Sequence, residues 1–392
     1  MRLLHTSDWH LGRSLHGHDL GAAQASHVDH LVEVVRAEGV GVVLVAGDVH
    51  DRALPPVSAL QLFDEALGRL RDAGAAVVVI SGNHDAPARL GDKAGLLDPR
   101  IRLCCDPRRV GQPVVLQDQH GPVSFYGIPY LEPAAVRDLL PGEDAEAGQQ
   151  ADPPVARGAH TRVLTRALAA VAADRAVRGG RSVALAHAWV TGGQASDSER
   201  DIAVGGVGQV PASLFDGLDY TALGHLHRPQ VLREGLRYSG SPLPYSFGEA
   251  TTAKLSWLVE LDPSGLSSVE AVPAPVFRRL RALCGTLQEL LTSSAHTPYE
   301  QDFVALTMTD PVRPVDAMAA LSRRYAHPLS LVWQPSSLPT GDGASYAERT
   351  RGRSDLEVAD AFVTHVRGAA SEQERVLLQA ALDAARLAED AA

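Results

Sequence analysis

The stretch VVLVAGD, residues 42–48, is five apolar residues that stop on Gly47-Asp48. A short continuous apolar run of this kind suits a strand buried on both faces. Helical spacing flanks it on either side. Val28, Leu31, Val32 and Val35 mark one face of a helix over 22–38, and Leu60, Phe63, Leu67 and Leu70 mark another over 57–73. Beyond those helices lie two more strand-like runs. RLLHT at 2–6 leads into SDWHLG, and VVVI at 77–80 leads into SGNHD at 81–85. Strand–helix–strand–helix–strand with short links predicts βαβ units and a largely parallel sheet, an α/β fold.

Further along, 141–160 is rich in Pro, Gly and acids and reads as a surface excursion, followed by a helix over 161–177. Val183–Ala186 runs into His187, and Tyr220–Leu223 runs into Gly224-His225-Leu226-His227. Residues 191–209 read as a mobile polar loop. Tyr238–Pro242 and Trp257–Leu261 predict further strands that close a second sheet. Composition shifts at 272–276, VPAPV. The expected organisation is a main domain over 1–272, a small α+β domain over 273–335, a polar Gly-rich linker over 336–354 and a helical tail over 355–392. The tail reads as two amphipathic helices, near 355–367 and 372–388, with Ser371 and Glu374 as a capping box for the second.

The chain has 392 residues, 45% hydrophobic and 21% charged, ample for a sizeable core. It holds no apolar run of membrane-spanning length, and MRLLHTSDWH is interrupted too early for a signal peptide. Cys104, Cys105 and Cys284 form neither a disulfide framework nor a zinc pattern, so a reducing, cytoplasmic setting is expected. A net charge of -11 leans against nucleic acid, although bound cations offset carboxylates locally.

Five expected strands end in metal-type ligands: Asp8 and His10; Asp48; Asn83 and His84; His187; His225 and His227. In an open α/β sheet the strand C-termini converge on one edge, so these residues can meet. Carboxylate, amide and imidazole donors suit two divalent ions of intermediate hardness. On an extended backbone, D-x-H and H-x-H would point both side chains to one side. Asp48 is the natural bridge, and two ions about 4 Å apart can clamp a phosphate for in-line displacement. Each motif alone is weak. Their order, each following an apolar strand, carries the reading.

Together these motifs resemble the calcineurin-like metallophosphoesterases. HTSDWHLGRSLHG at 5–17, AGDVHD at 46–51, ISGNHD at 80–85, GIPY at 127–130 and SGSP at 239–242 are similar to the SbcD nuclease family. The resemblance implies a sandwich of β-sheets flanked by helices, a cap domain and a partner-binding helical tail. It also implies hydrolysis of DNA phosphodiesters as a duplex exonuclease and a single-strand and hairpin endonuclease. By the same resemblance, Asp8, His10, Asp48 and His227 hold one ion, and Asp48, Asn83, His187 and His225 hold the other. The ions are two manganese, with magnesium as the alternative. His84 would act on the leaving oxygen, with Asp85 orienting it. The implied partners are DNA, an SbcC-like ATPase bound through the C-terminal helices, and a second copy in a homodimer within a heterotetramer. No membrane partner is implied, and the expected location is the cytoplasm, at the nucleoid.

One position departs from the pattern. Some relatives carry a second catalytic histidine three residues after the bridging aspartate, where this chain has Asp51; His50 is the substitute candidate. Blander readings hold elsewhere. His5 is expected to pack within its strand, His16, His18, His27 and His30 to be solvated, Trp9 to line the site wall and Tyr130 to lie in the core. Arg278, Arg279 and Arg281 read equally as a solvated face or a phosphate contact. Two rivals remain: a small-molecule phosphodiesterase or phosphoprotein phosphatase using the same metals, and a scaffold that has lost them.

Overall fold

Strand β1 (Arg2–Thr6) leads into a two-rung ladder, β2 (Ser14–Leu15) and β3 (His18–Asp19), then helix α1 (Gly21–Glu38) and β4 (Val42–Ala46) in a computed structural model of the chain. The structure describes residues 1–136, 138–140, 158–199, 208–335, 350 and 352–389. Helix α2 (Val57–Asp72), β5 (Ala76–Ile80), the single turn α3 (Pro87–Leu90) and β6 (Ile101–Leu103) follow. Next come the hairpin β7 (Val114–Asp118) and β8 (Gly121–Ile128), the single turn α4 (Pro133–Val136), α5 (Ala159–Arg178) and β9 (Arg181–His187). β10 (Tyr220–Gly224), β11 (Gln230–Arg233), β12 (Leu236–Tyr238), β13 (Leu255–Asp262) and β14 (Gly265–Pro273) complete this part.

The strands form two six-stranded sheets, ordered β14-β13-β1-β4-β5-β6 and β11-β12-β10-β9-β8-β7. β1, β4, β5 and β6 run parallel, as do β12, β10, β9 and β8. The strand period of two divides their apolar residues between layers. Leu3, Leu44, Val78 and Ile80 of the first sheet join Phe125, Val183, Leu185 and Ala222 of the second in a shared inner core. Leu4, Val43, Val45, Val77 and Val79 face the other way, onto Leu31 and Val35 of α1 and Phe63 and Leu67 of α2. Tyr126, Ile128, Ala186 and Leu223 pack on Leu164, Ala167, Leu168 and Val171 of α5. The result is helix, sheet, sheet, helix, the flanked sandwich expected from the sequence.

The Trp257–Leu261 run closes the first sheet, not the second. β13 lies antiparallel beside β1, with Leu3 opposite Val259 and His5 opposite Trp257. This pairing spans more than 250 residues of sequence, and local periodicity carries no information about it. His5 packs as expected: it is fully buried, 2.8 Å from the Tyr220 hydroxyl and 3.1 Å from the Leu223 carbonyl. His27 is not solvated. It is 3% exposed on the inner face of α1, against the Trp9 ring, and both belong to the helix–sheet interior rather than to a site wall.

The chain divides into two compact units, Met1–Arg279 and Leu280–Ala392. In the second, β15 (Leu280–Gly285), β16 (Phe303–Met308) and β17 (His327–Trp333) make a parallel sheet in that order, connected through α6 (Leu287–Thr292) and α7 (Ala317–Leu321). Leu283, Leu290, Val304, Leu306, Leu321 and Tyr325 form its core. The tail helices α8 (Asp355–Arg367) and α9 (Glu372–Glu389) follow. Each begins at a capping box, Ser354 with Glu357 and Ser371 with Glu374. Most of the expected linker, 336–349 and 351, lies outside the described residues, as do 141–157 of the acidic excursion and 200–207 of the polar loop.

Candidate metal centre

The C-terminal ends of β1, β4, β5, β9 and β10 bring the sequence candidates to one place. Asp8, His10 and His227 set one ligand atom each within 4.8 Å of one another; so do Asp8, Asp48 and His187, and His10, Asp48 and His84. Asp8, His10, Asp48, His187, His225 and His227 are buried, none above 2% exposed. Asp48 sits between two halves. Its Oδ2 lies 3.6 Å from His10 Nε2 and 3.5 Å from His187 Nε2. On one side His10 Nε2 faces His227 Nε2 at 3.0 Å. On the other, Asn83 Oδ1 lies 2.9 Å from His187 Nε2 and 3.2 Å from His225 Nδ1.

The ligand pairs do not sit on extended backbone. Asp8, His10, Asp48 and His225 have φ of 52°, 45°, 47° and 105°, a left-handed conformation that Asp and His tolerate only with support. That support is visible. The Asp8 and His10 amides donate to the Gly47 and Asp48 carbonyls, each at 3.0 Å. Asp8 accepts from the His225 amide at 3.0 Å and from the Ser7 hydroxyl at 2.5 Å. Side chains therefore converge because the chain turns sharply just past each strand, not because of strand alternation. Gly47 has φ 89°, and a Cβ there would overlap the His187 ring. A Cβ at Gly82 would overlap the Asp48 carboxylate. The small residues of AGD and GNHD let these ligands close in.

The electrostatics favour a cation. Burial works against a charged His187, yet the Asp48 carboxylate beside it, then Asp8, carries the imidazole up to about 9. Burial works against a charged Asp48 as well, but His187 and then His10 hold it well below the usual carboxylate range. Burial pushes Asp8 up to about 6 and holds His10 and His225 well below the ordinary histidine value, leaving neutral imidazoles, the form that ligates metal. His187 Nδ1–H donates to the Ala46 carbonyl at 2.9 Å, which turns Nε2 into the cluster. His10 Nδ1, Asn83 Nδ2 and His225 Nε2 are buried without a hydrogen-bond partner. The donor set and the buried carboxylates fit divalent metal, with His10 and His227 on one side of Asp48 and Asn83, His187 and His225 on the other.

His84 lies beside the cluster, its ring 4.7 Å from that of His10. Its Nδ1 is 2.7 Å from the Asp51 carbonyl; since a carbonyl only accepts, that nitrogen carries the proton. This corrects the role expected of Asp85. The Asp85 carboxylate instead accepts the backbone N–H groups of Val49, His50 and Gly82, at 3.0, 2.9 and 2.9 Å. It shapes the loops that carry Asp48 and Asn83 and does not steer the His84 ring. His50 is also placed differently. Its Nδ1 is 3.4 Å from Asp85 and its ring packs on Phe63 at 5.4 Å, on the helix side. Tyr130 is not a core residue. It is half-buried at the site's edge, its ring 6.3 Å from that of His187.

Sequence reasoning missed several supporting residues. Asp51 Oδ1 is 3.6 Å from His10 Nδ1 and Glu249 is 3.9 Å from His227 Nδ1. The offset of Asp51 from Asp48 was visible in the sequence, whereas Glu249 lies in a turn with no signature.

Residues 1–119 match the family model described as calcineurin-like phosphoesterase. Among solved structures the chain is similar to TT1561 of Thermus thermophilus, at 13% identity over 70% of this chain and 99% of that one, with a TM-score of 0.38. A dimetal phosphatase from Danio rerio gives 13% identity, the same coverages and a TM-score of 0.39. GAP50, the anchor in the inner membrane complex of Plasmodium, gives 11% identity over 87% and 99% with a TM-score of 0.32. No helix among the described residues is long and apolar enough to cross a membrane. The family match over residues 1–119 and the buried cluster of carboxylates, imidazoles and an amide together point to a calcineurin-like phosphoesterase domain in the N-terminal part of the chain, with a donor set suited to metal-dependent phosphoester hydrolysis.

Proposed function

We propose that this hydrolase is a two-metal nuclease acting on DNA phosphodiesters, on duplex ends and on single-stranded and hairpin DNA. The observation that carries the phosphodiesterase half is Asp48 Oδ2, set between His10 and His187 at 3.6 and 3.5 Å. One carboxylate oxygen between two ligand groups is what a bridged ion pair requires. Two divalent ions held there, manganese by the family resemblance and compatible with the mixed oxygen and nitrogen donors, would supply a polarised phosphoryl oxygen and an activated water.

The chain supplies the rest. Asp48 and Asp8 hold charge, and the Ala46 carbonyl fixes the His187 tautomer. His84, its Nδ1–H tied to the Asp51 carbonyl, keeps Nε2 for a proton exchanged with the leaving oxygen. DNA as substrate is supported by the SbcD-like wording of the motifs and by a separate unit that ends in two exposed helices. On those helices Phe362, Val366, Val376 and Leu377 are 52%, 44%, 65% and 68% exposed, apolar surface suited to a partner helix. The proposed assembly is a homodimer joined through this tail to an SbcC-like ATPase at the nucleoid.

The test is a manganese-dependent assay on linear duplex, hairpin and single-stranded DNA against a generic phosphodiester. Cleavage of DNA supports the reading. Turnover of the generic ester alone would transfer it to a small-molecule phosphodiesterase.

A further inference from the structure

We infer that the polar segment Gln194–Glu199 is a positioning latch for His227, and so sets the affinity of one ion site and not of the other. The inference deepens the two-metal reading and rests on it. The segment is a stretch of serines and acids that sequence periodicity leaves as loop. In the structure it is tied to His227 at two points.

The first is the ring. His227 Nε2 faces His10 Nε2 at 3.0 Å, and because the Ser198 hydroxyl gives its own proton to Glu249, Ser198 Oγ accepts from His227 Nδ1–H at 2.5 Å. The Ser198 hydroxyl in turn donates to Glu249, a carboxylate 1% exposed that is also paired with Lys254. This hydroxyl relay does for His227 what a carboxylate commonly does for a metal-bound histidine: it fixes tautomer and ring direction. The second is the backbone. The His227 amide donates to Glu199 Oε1 at 2.6 Å, while Glu199 Oε2 accepts from the Ser196 amide and hydroxyl at 2.8 and 2.7 Å. Lys254 Nζ donates to the His227 carbonyl at 2.9 Å.

The same segment reaches His10. Arg13 donates to the Ser198 carbonyl at 2.9 Å and lies 4.7 Å over the Tyr245 ring. Tyr245 donates to the Trp9 carbonyl at 2.5 Å and sits 5.3 Å from the His10 ring. His227 thus leans on this loop directly, and His10 only through Arg13 and Tyr245. The other half is built differently: His187 is held by the Ala46 carbonyl of β4, and Asn83 by the turn after β5. An asymmetric dependence follows.

The experiment is manganese titration of the metal-free full-length chain, by calorimetry and by electron paramagnetic resonance of free manganese, for wild type, Ser198→Ala, Ser198→Thr and Glu199→Gln. Loss of such an outer partner weakens metal binding about 10- to 100-fold. The expected result is that drop at one of two sites in Ser198→Ala, a smaller drop in Glu199→Gln, an unchanged second site, and recovery in Ser198→Thr. Wild-type affinity at both sites in Ser198→Ala, or equal weakening of both, would overturn the latch. Wild-type protein that binds no manganese would instead overturn the two-metal reading itself.

Discussion

His84 donates its backbone N–H to Asp48 Oδ1 at 2.9 Å, so the residue proposed for proton transfer and the carboxylate proposed to bridge the ions share one hydrogen bond. The side chain takes no part in that bond. Its Nδ1–H goes to the Asp51 carbonyl, on a separate loop.

This division predicts the phenotype of His84→Ala. The backbone bond to Asp48 survives, so both ions should remain, while proton transfer is lost. General acid–base contributions of this kind are worth about 10²- to 10⁴-fold. DNA cleavage should fall by that factor with metal content unchanged. Metal analysis and a nuclease assay on the variant check it; lost metal, or cleavage near wild type, would remove His84 from the role.

Gly82→Ala tests the close approach of β5 and β4. The new methyl would overlap the Asp48 carboxylate and amide, forcing the bridge out of place. Overpacking of this type costs about 1–3 kcal/mol, and metal affinity should fall with it. Gly68→Ala is the control: it lies on α2 with open space around its Cβ position, so the gain in helix propensity, up to about 1 kcal/mol, should show as a small stabilisation. Melting temperatures and manganese titration of both variants decide the matter. A Gly82→Ala protein as stable and as metal-avid as wild type would refute the packing argument.

Much of the site is legible from residue type and position alone. Asp8, His10, Asp48, Asn83, His187, His225 and His227 follow apolar runs, and the structure gathers them. Partners that act across long sequence distances were not legible. β13 as neighbour of β1, Glu249 behind His227 and the Asp51 carbonyl behind His84 each depend on how distant turns stack. His50 and Asp85 show the same limit from the other side. Spacing puts both near the chemistry, yet the turn after Asp48 sends His50 toward Phe63 and spends Asp85 on three backbone amides. The left-handed φ values at Asp8 and His10 were hidden too, because strand alternation and a sharp turn can bring the same two side chains together.

Acid sensitivity should have a component far from the metals. Burial holds His27 down to about 3, against an ordinary value of 6.5. Between those two pH values the unfolded chain binds a proton that the folded chain refuses, so stability falls as pH drops through 6.5 and levels off below about 3. The slope is about 1.4 kcal/mol per pH unit for one such group. His5, also held down to about 3 by burial, adds a similar term. His27→Leu should flatten the acid limb of stability against pH, measured by denaturant unfolding of metal-free protein. An unchanged slope would show that His27 titrates normally in the folded state.

The tail helices yield the last prediction. α8 and α9 are tied to each other by Arg375 and Asp360 at 3.0 Å, so the pair holds its own geometry. Phe362 and Leu377 remain 52% and 68% exposed on it, which is costly surface unless something covers it. Burying one such side chain is worth about 1.5–3 kcal/mol. Phe362→Glu with Leu377→Glu should therefore weaken binding to the proposed ATPase by at least about 10²-fold. Helix content and manganese-dependent turnover of a generic phosphodiester should stay at wild-type levels, since neither residue belongs to the unit that carries the metal ligands. Calorimetric affinity for the ATPase, read beside that turnover, is the check. Unaltered affinity would show that the partner uses another surface.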